Sequence, residues 1–133
     1  MEQYAIKIVT PDGCIYDGEA QFLACRTIGG DVGIMAHHTD YVTALGMGEA
    51  RLTLPDGTVR RAACIGGMLS VLAGKVTVVA TTWEWADEID KARAEASRAR
   101  AEELLSRKDL DARELALAQA RLKRALVRSS VAG

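Results

Sequence analysis

Four arginines in the last third of the chain have the type and spacing to act together: Arg93, Arg100, Arg124 and Arg128. On a helix, positions seven apart return to one face and so do positions four apart. Arg93 and Arg100 therefore share a face of one segment, and Arg124 and Arg128 share a face of another. Folding these segments back on each other about residues 107–110 sets Arg93 opposite Arg124, and Arg128 opposite the Ile89-Asp90 end. Guanidinium groups that converge in this way can hold a polyphosphate, because each planar fork offers paired donors to phosphate oxygens. The same residues also admit a plainer reading, a solvated helix pair, since exposed Arg/Glu pairs contribute little.

No other group of residues carries a reaction. His37 and His38 are adjacent, so their rings point differently, and no third ligand lies nearby in sequence; no metal site is expected. Ser70 has no His and Asp placed by a recognisable motif, and neither a Gly-x-Ser-x-Gly nor a P-loop pattern occurs. The chain is expected to be non-catalytic. Cys14, Cys25 and Cys64 are an odd count with no Cys-x-x-Cys pair, and all three read as buried thiols.

The elements that position the arginines follow from composition. A chain of 133 residues builds one proper core plus an appendage. Its 17 basic and 18 acidic residues leave a net charge of −1, which lacks the broad basic field that nucleic acid or an anionic membrane would require. No apolar run is long enough to span a membrane, and acidic Glu2 stands where a signal peptide would be basic. The expectation is a cytosolic protein, or one held at a membrane only through partners.

The two halves differ sharply. Eleven of the 12 glycines and both prolines precede Lys75, whereas residues 86–132 hold 12 alanines and 7 leucines among nine acidic and eleven basic residues. In residues 1–85, short apolar runs alternate with turn signals such as Pro55-Asp56-Gly57 and Ala73-Gly74, which predicts an antiparallel β-sandwich or barrel of about ten short strands. Trp83 and Trp85 close that half and are expected to pack in the core or at an interface. Residues 86–133 predict an antiparallel two-helix hairpin turning at Ser106–Asp109. Asp87 is placed to cap the first helix and Asp109 or Asp111 the second. The expected seam is Ile89, Ala92, Ala96 and Ala99 against Leu115, Ala118, Leu122 and Ala125. An alanine methyl contributes only about 0.8 kcal/mol on burial, so such a hairpin can open without its helices melting.

A β-sandwich followed by an Ala/Arg/Glu-rich hairpin resembles the epsilon subunit of the bacterial or chloroplast F-type ATP synthase over essentially the whole chain. Four stretches carry the resemblance. They are Gly30-Asp-Val-Gly-Ile-Met-Ala-His-His-Thr39, then Gly66-Gly67-x-x-Ser-Val71 with Gly74-x-Val-Thr-Val78, then Ile89-Asp90-x-x-Arg93-Ala94, and last Lys123-Arg124-Ala125 with Arg128 and Ser130-Val131-Ala132. Two positions depart from the family pattern: Asp40 replaces a Pro after the loop His, and Asp31 replaces a Glu.

The resemblance implies a rotor subunit that couples ion translocation to ATP synthesis. Its sandwich would dock on the gamma subunit and the c-subunit ring, with Asp31 and His38 in the docking loop. The hairpin would permit turnover when folded and block ATP hydrolysis when extended between the alpha and beta subunits. In relatives ATP is the regulatory ligand, and the matching positions here are Glu84, Ile89, Asp90, Arg93, Ala94, Arg100, Arg124 and Arg128. Asp90 would accept from the adenine amino group or orient Arg93. The implied location is peripheral, on the cytoplasmic face of the cell membrane or the stromal face of a thylakoid, without direct membrane insertion and without homo-oligomerisation. A different class of function, a free-standing adenine-nucleotide sensor, would not co-purify with a gamma subunit.

Overall fold

A computed structural model of the chain describes residues 2–132. It divides into two compact units, one ending at Trp85 and the other beginning at Ala86.

The first unit has eight strands: β1 (Tyr4–Thr10), β2 (Gly13–Ala20), β3 (Phe22–Thr27), β4 (Gly30–Ile34), β5 (Tyr41–Ala44), β6 (Met47–Thr53), β7 (Val59–Leu72) and β8 (Lys75–Trp85). Alternation drives them. In β1, Tyr4, Ile6 and Ile8 are buried while Ala5 and Lys7 face out, the period-two pattern of a half-buried strand. The strand order is β2-β1-β8-β7-β6-β3-β4, with β5 paired to β7. The sheet folds back on itself into the sandwich. The Tyr4 hydroxyl, near one end of this order, donates to the Ile34 carbonyl at the other end, 2.8 Å away. Ile6, Ile8, Leu23, Ile34, Leu52, Leu69, Val71, Val76 and Val78 fill the core between.

Two features differ from the sequence expectation. The pairing of β1 with β8 is parallel within an otherwise antiparallel sheet. The strands number eight rather than about ten, in part because residues 59–72 form one 14-residue strand in place of two short ones. Gly66 and Gly67, at φ +70° and +117°, let that strand bend without breaking. Its first part pairs with β6 and its last part with β5. A Cβ at Gly67 would lie 2.0 Å from the Val79 carbonyl oxygen and 2.8 Å from Ala80 Cα, both backbone atoms that cannot swing away. Gly67→Ala is therefore expected to destabilise the first unit by roughly 3–5 kcal/mol, combining backbone strain with overpacking. Urea unfolding followed by Trp83 and Trp85 fluorescence measures this, and a loss under about 1 kcal/mol would contradict the stated cause.

The predicted turns are present. Gly57, at φ +88°, closes the β6–β7 hairpin, and Ala73-Gly74, both at positive φ, form the two-residue β7–β8 turn. The cysteines need one correction: Cys25 and Cys64 are buried, but Cys14 is exposed. It lies at the start of the edge strand β2, on the outward side, where no second layer covers it. Burial pushes the Cys25 thiol up to about 11 and the Cys64 thiol up to about 12, so both are protonated and inert at neutral pH.

The second unit opens with a 3-10 turn at Ala86–Glu88, followed by α1 (Lys91–Leu105) and α2 (Ala112–Ala132). The first cap is Asp90 and not Asp87, because Ile89 must first turn into the interior. The Asp90 side chain accepts the Arg93 backbone N–H at 3.0 Å. Asp111 caps α2 by accepting the Glu114 N–H at 2.8 Å, and that hydrogen bond holds its carboxyl below the usual aspartate range.

Candidate functional site

Within the second unit, α1 and α2 lie against each other and bury Ala94 and Ala101 on α1 and Ala118, Ala125 and Val131 on α2. This corrects the expected seam. Ala92, Ala96 and Ala99 are exposed, as is Leu115, whereas Ile89, Ala118 and Ala125 are buried. Alanines at 92, 96 and 99 share one face of α1 and those at 94 and 101 the opposite one, so alanine alone does not choose between the two faces. The face that wins continues through half-buried Ser97 and Arg98 to the half-buried pair Leu104-Leu105. The losing face runs on to the charged Glu103.

The eight residues matched to a nucleotide site divide between the units. Glu84 is on β8 and half-buried in the first unit. The other seven belong to the second. Ile89 and Ala94 are buried, so their contribution is shape and close packing. Asp90 is committed through one oxygen to the α1 cap. Arg93, Arg100 and Arg124 are exposed, with no ion pair among the described residues, and Arg128 is half-buried.

The Ser129 hydroxyl donates to the Glu95 carboxylate across the hairpin. Each of the two helices still offers guanidinium groups to a ligand lying along the hairpin.

The residues expected in a docking loop sit on the first unit. Asp31, on edge strand β4, is held by Arg26 at 3.2 Å with both side chains exposed. Ile28, in the adjoining turn, is 76% exposed. His38 Nδ1 lies 2.8 Å from the Thr39 carbonyl, and its ring meets that of Tyr41. Asp40, at a departure from the family pattern, accepts the Ala73 backbone N–H at 2.9 Å and so ties this loop to the β7–β8 turn. His37 pairs with Glu2. Among the described residues no group of three His, Cys, Asp or Glu is placed to hold a metal.

Two features are not visible in the sequence pattern. One is an exposed apolar strip on the outer face of the sandwich. Met68 on β7 is paired with Val79 on β8 and Ala44 on β5, while Val42 and Leu72 lie farther along the same face. The outward positions of strands β5, β7 and β8 carry this signal, but reading it needs the register. The other is the set Glu95, Arg98, Glu102 and Ser129. The spacing of Glu95, Arg98 and Glu102 marks a helical ion-pair staple, while the crossing to Ser129 has no local signature. At the first unit's end, the Arg60 guanidinium stacks 3.8 Å above the Trp85 ring, which meets Trp83 edge-on at 5.4 Å.

Residues 3–86 match the family described as "ATP synthase, Delta/Epsilon chain, beta-sandwich domain". Residues 87–133 match "ATP synthase, Delta/Epsilon chain, long alpha-helix domain". The ATP synthase epsilon chain of Bacillus velezensis is 41% identical over 135 residues, covering 100% of this chain and 99% of that protein. That of Ruminococcus albus is 39% identical over 133 residues, covering 99% and 98%. Among solved structures, a chain of the Euglena gracilis mitochondrial ATP synthase (OSCP, F1 and c-ring, rotational state 1) shares the fold. It aligns with a TM-score of 0.87 at 18% identity, covering 98% of this chain and 82% of that one.

Proposed function

This chain belongs to the ATP synthase delta/epsilon family and has the central-stalk role of its epsilon chains, and we propose that its helical hairpin is a nucleotide-gated brake on ATP hydrolysis. The observation that carries the proposal is a hairpin closed mainly by alanines while exposed arginines stand on both of its helices. Four buried alanine methyls, at about 0.8 kcal/mol each, supply roughly 3 kcal/mol of seam, and buried Val131 adds roughly 1.5–3 kcal/mol. A ligand present at a hundred times its Kd adds about 2.7 kcal/mol to the state it binds, a large fraction of that seam, so a ligand can shift the balance between states.

The chemistry fits ATP. Arg93, Arg100, Arg124 and Arg128 supply charge-assisted donors to the polyphosphate, and the free oxygen of Asp90 accepts from the adenine amino group. Buried Ile89 and Ala94 keep the backbone close. Closed, the hairpin permits turnover. Opened, it presents Leu115, Leu117 and Leu126, which are 40–50% exposed on α2, to the alpha and beta subunits and blocks hydrolysis. A helix with leucines off its closed seam suits a second partner.

The sandwich is the docking unit. The strip of Val42, Met68, Leu72 and Val79 is the surface for the gamma subunit. Asp31, with Ile28 beside it, faces the c-ring, and His38 belongs to the same loop. The chain itself contributes no catalytic group to synthesis or hydrolysis. Its place is peripheral, on the cytoplasmic face, held through the complex; no helix of the described residues is long and apolar enough to cross a membrane. Calorimetric titration of ATP into the purified chain, with GTP as the control, tests the nucleotide reading. Saturable binding of ATP in preference to GTP is expected, and no heat of binding up to millimolar ATP would overturn it.

A further inference from the structure

The alanine seam holds the helices together without saying how they must be aligned. Methyl–methyl contacts are non-directional, so neighbouring registers and rotations of such helices are close in energy. One directional contact breaks that degeneracy. Ser129 Oγ on α2 donates to Glu95 Oε1 on α1. A helical serine ordinarily donates back to its own helix, and this one crosses to the other. The second Glu95 oxygen, Oε2, accepts from Arg98 Nη2 at 2.7 Å and from Arg98 Nε at 3.0 Å. Arg98 in turn reaches Glu102, with Nη1 to Oε1 at 3.8 Å. Glu95, Arg98 and Ser129 are all half-buried. Arg98 therefore fixes the Glu95 rotamer from within α1, and both carboxylate oxygens are committed. Arg98 is also kept from any phosphate, unlike exposed Arg93 and Arg100.

We infer that Glu95 and Ser129 form a polar latch that fixes the register of the closed hairpin and adds to the stability of that closed form independently of nucleotide. This rests on the reading of the hairpin as a movable element. Glu95 and Ser129 are positioning residues, because they set the level of Arg124 and Arg128 against α1 and do not themselves meet the ligand. The Ser129 hydrogen bond, with Arg98 beside it, holds the Glu95 carboxyl below the ordinary glutamate range. Its latch contribution is thus fully present above that range and is lost only as the pH falls through the depressed value.

The test is a double-mutant cycle on the full chain without nucleotide. Spin labels at Ala92→Cys and Lys123→Cys, both exposed helix positions, are placed in a Cys14→Ser background and report the closed and open separations. Ser129→Ala and Glu95→Ala are each expected to raise the open-to-closed ratio about five- to tenfold, the range of a charge-assisted bond discounted for partial exposure. The double variant should add nothing further, and Ser129→Thr, which keeps the hydroxyl, should behave as the unsubstituted chain. Equal helical circular dichroism across the set separates opening from melting. A ratio within twofold of the parent in Ser129→Ala overturns the latch. So do additive effects in the double variant, a Thr variant that opens like Ala, or a wholly closed population throughout. Because the distances are read without ligand, failure of ATP to bind would remove the nucleotide reading and leave the outcome for the latch unaffected.

Discussion

Replacing Arg124 and Arg128 together by alanine should lower the ATP affinity of the chain about 10²- to 10⁴-fold. Each substitution removes a guanidinium from a polyphosphate, and charge-assisted contacts of this type contribute roughly 1.5–3 kcal/mol apiece, so the pair sums to about 3–6 kcal/mol. The helix should persist, because Ala is the strongest helix former and Arg124 is exposed. Calorimetry on the double variant, with circular dichroism as the control, measures the loss. Affinity within threefold of the parent would return these arginines to the role of a solvated helix face. A matched pair at Arg107 and Arg113, outside the proposed site, should change affinity less than twofold.

The second large effect concerns the sandwich. Met68→Lys combined with Val79→Glu sets opposite charges directly across a strand pair on the outer face, where each supports the other in the free chain. At an apolar interface the same charges must shed water, at a cost of about 3–5 kcal/mol beyond what their pairing returns. Association with the gamma subunit should therefore weaken about 10²- to 10³-fold while the free chain keeps its unfolding midpoint. Surface plasmon resonance against gamma, together with urea unfolding, reads both quantities. Undiminished association would move the docking surface elsewhere on the sandwich.

Much of this is legible in the residues. The shift from glycine-rich alternation to alanine-rich helix formers at residue 86 marks the division into units, and Pro55-Asp56-Gly57 and Ala73-Gly74 mark hairpins by their backbone demands. The strand count is harder. Gly66-Gly67 reads as a break when only local propensity is considered, yet with β5 and β6 both available as partners it becomes a bend in one long strand. The seam of α1 is hidden because alanines stand on two opposite faces of the helix. Carrying the register forward to Leu104-Leu105 chooses the buried one. The parallel β1–β8 pair and the Glu95–Ser129 contact join residues far apart in sequence, and no local pattern encodes them. Among site residues, Asp90 reads from the family match as a partner for a ligand or for Arg93. It also caps α1, so the start of the helix and one edge of the proposed site depend on the same carboxylate.

On the proposed reading the hairpin, and not the sandwich, restrains hydrolysis, and ATP governs it. The most direct measurement is the ATP hydrolysis rate of the synthase reassembled with either the full chain or a chain ending at Trp85, each over a range of ATP preincubation concentrations. The predicted result is a several-fold higher rate with the shortened chain, independent of preincubation. With the full chain, restraint should be strong at low ATP and relieved as ATP rises. Equal rates and equal ATP dependence for the two assemblies would contradict the account.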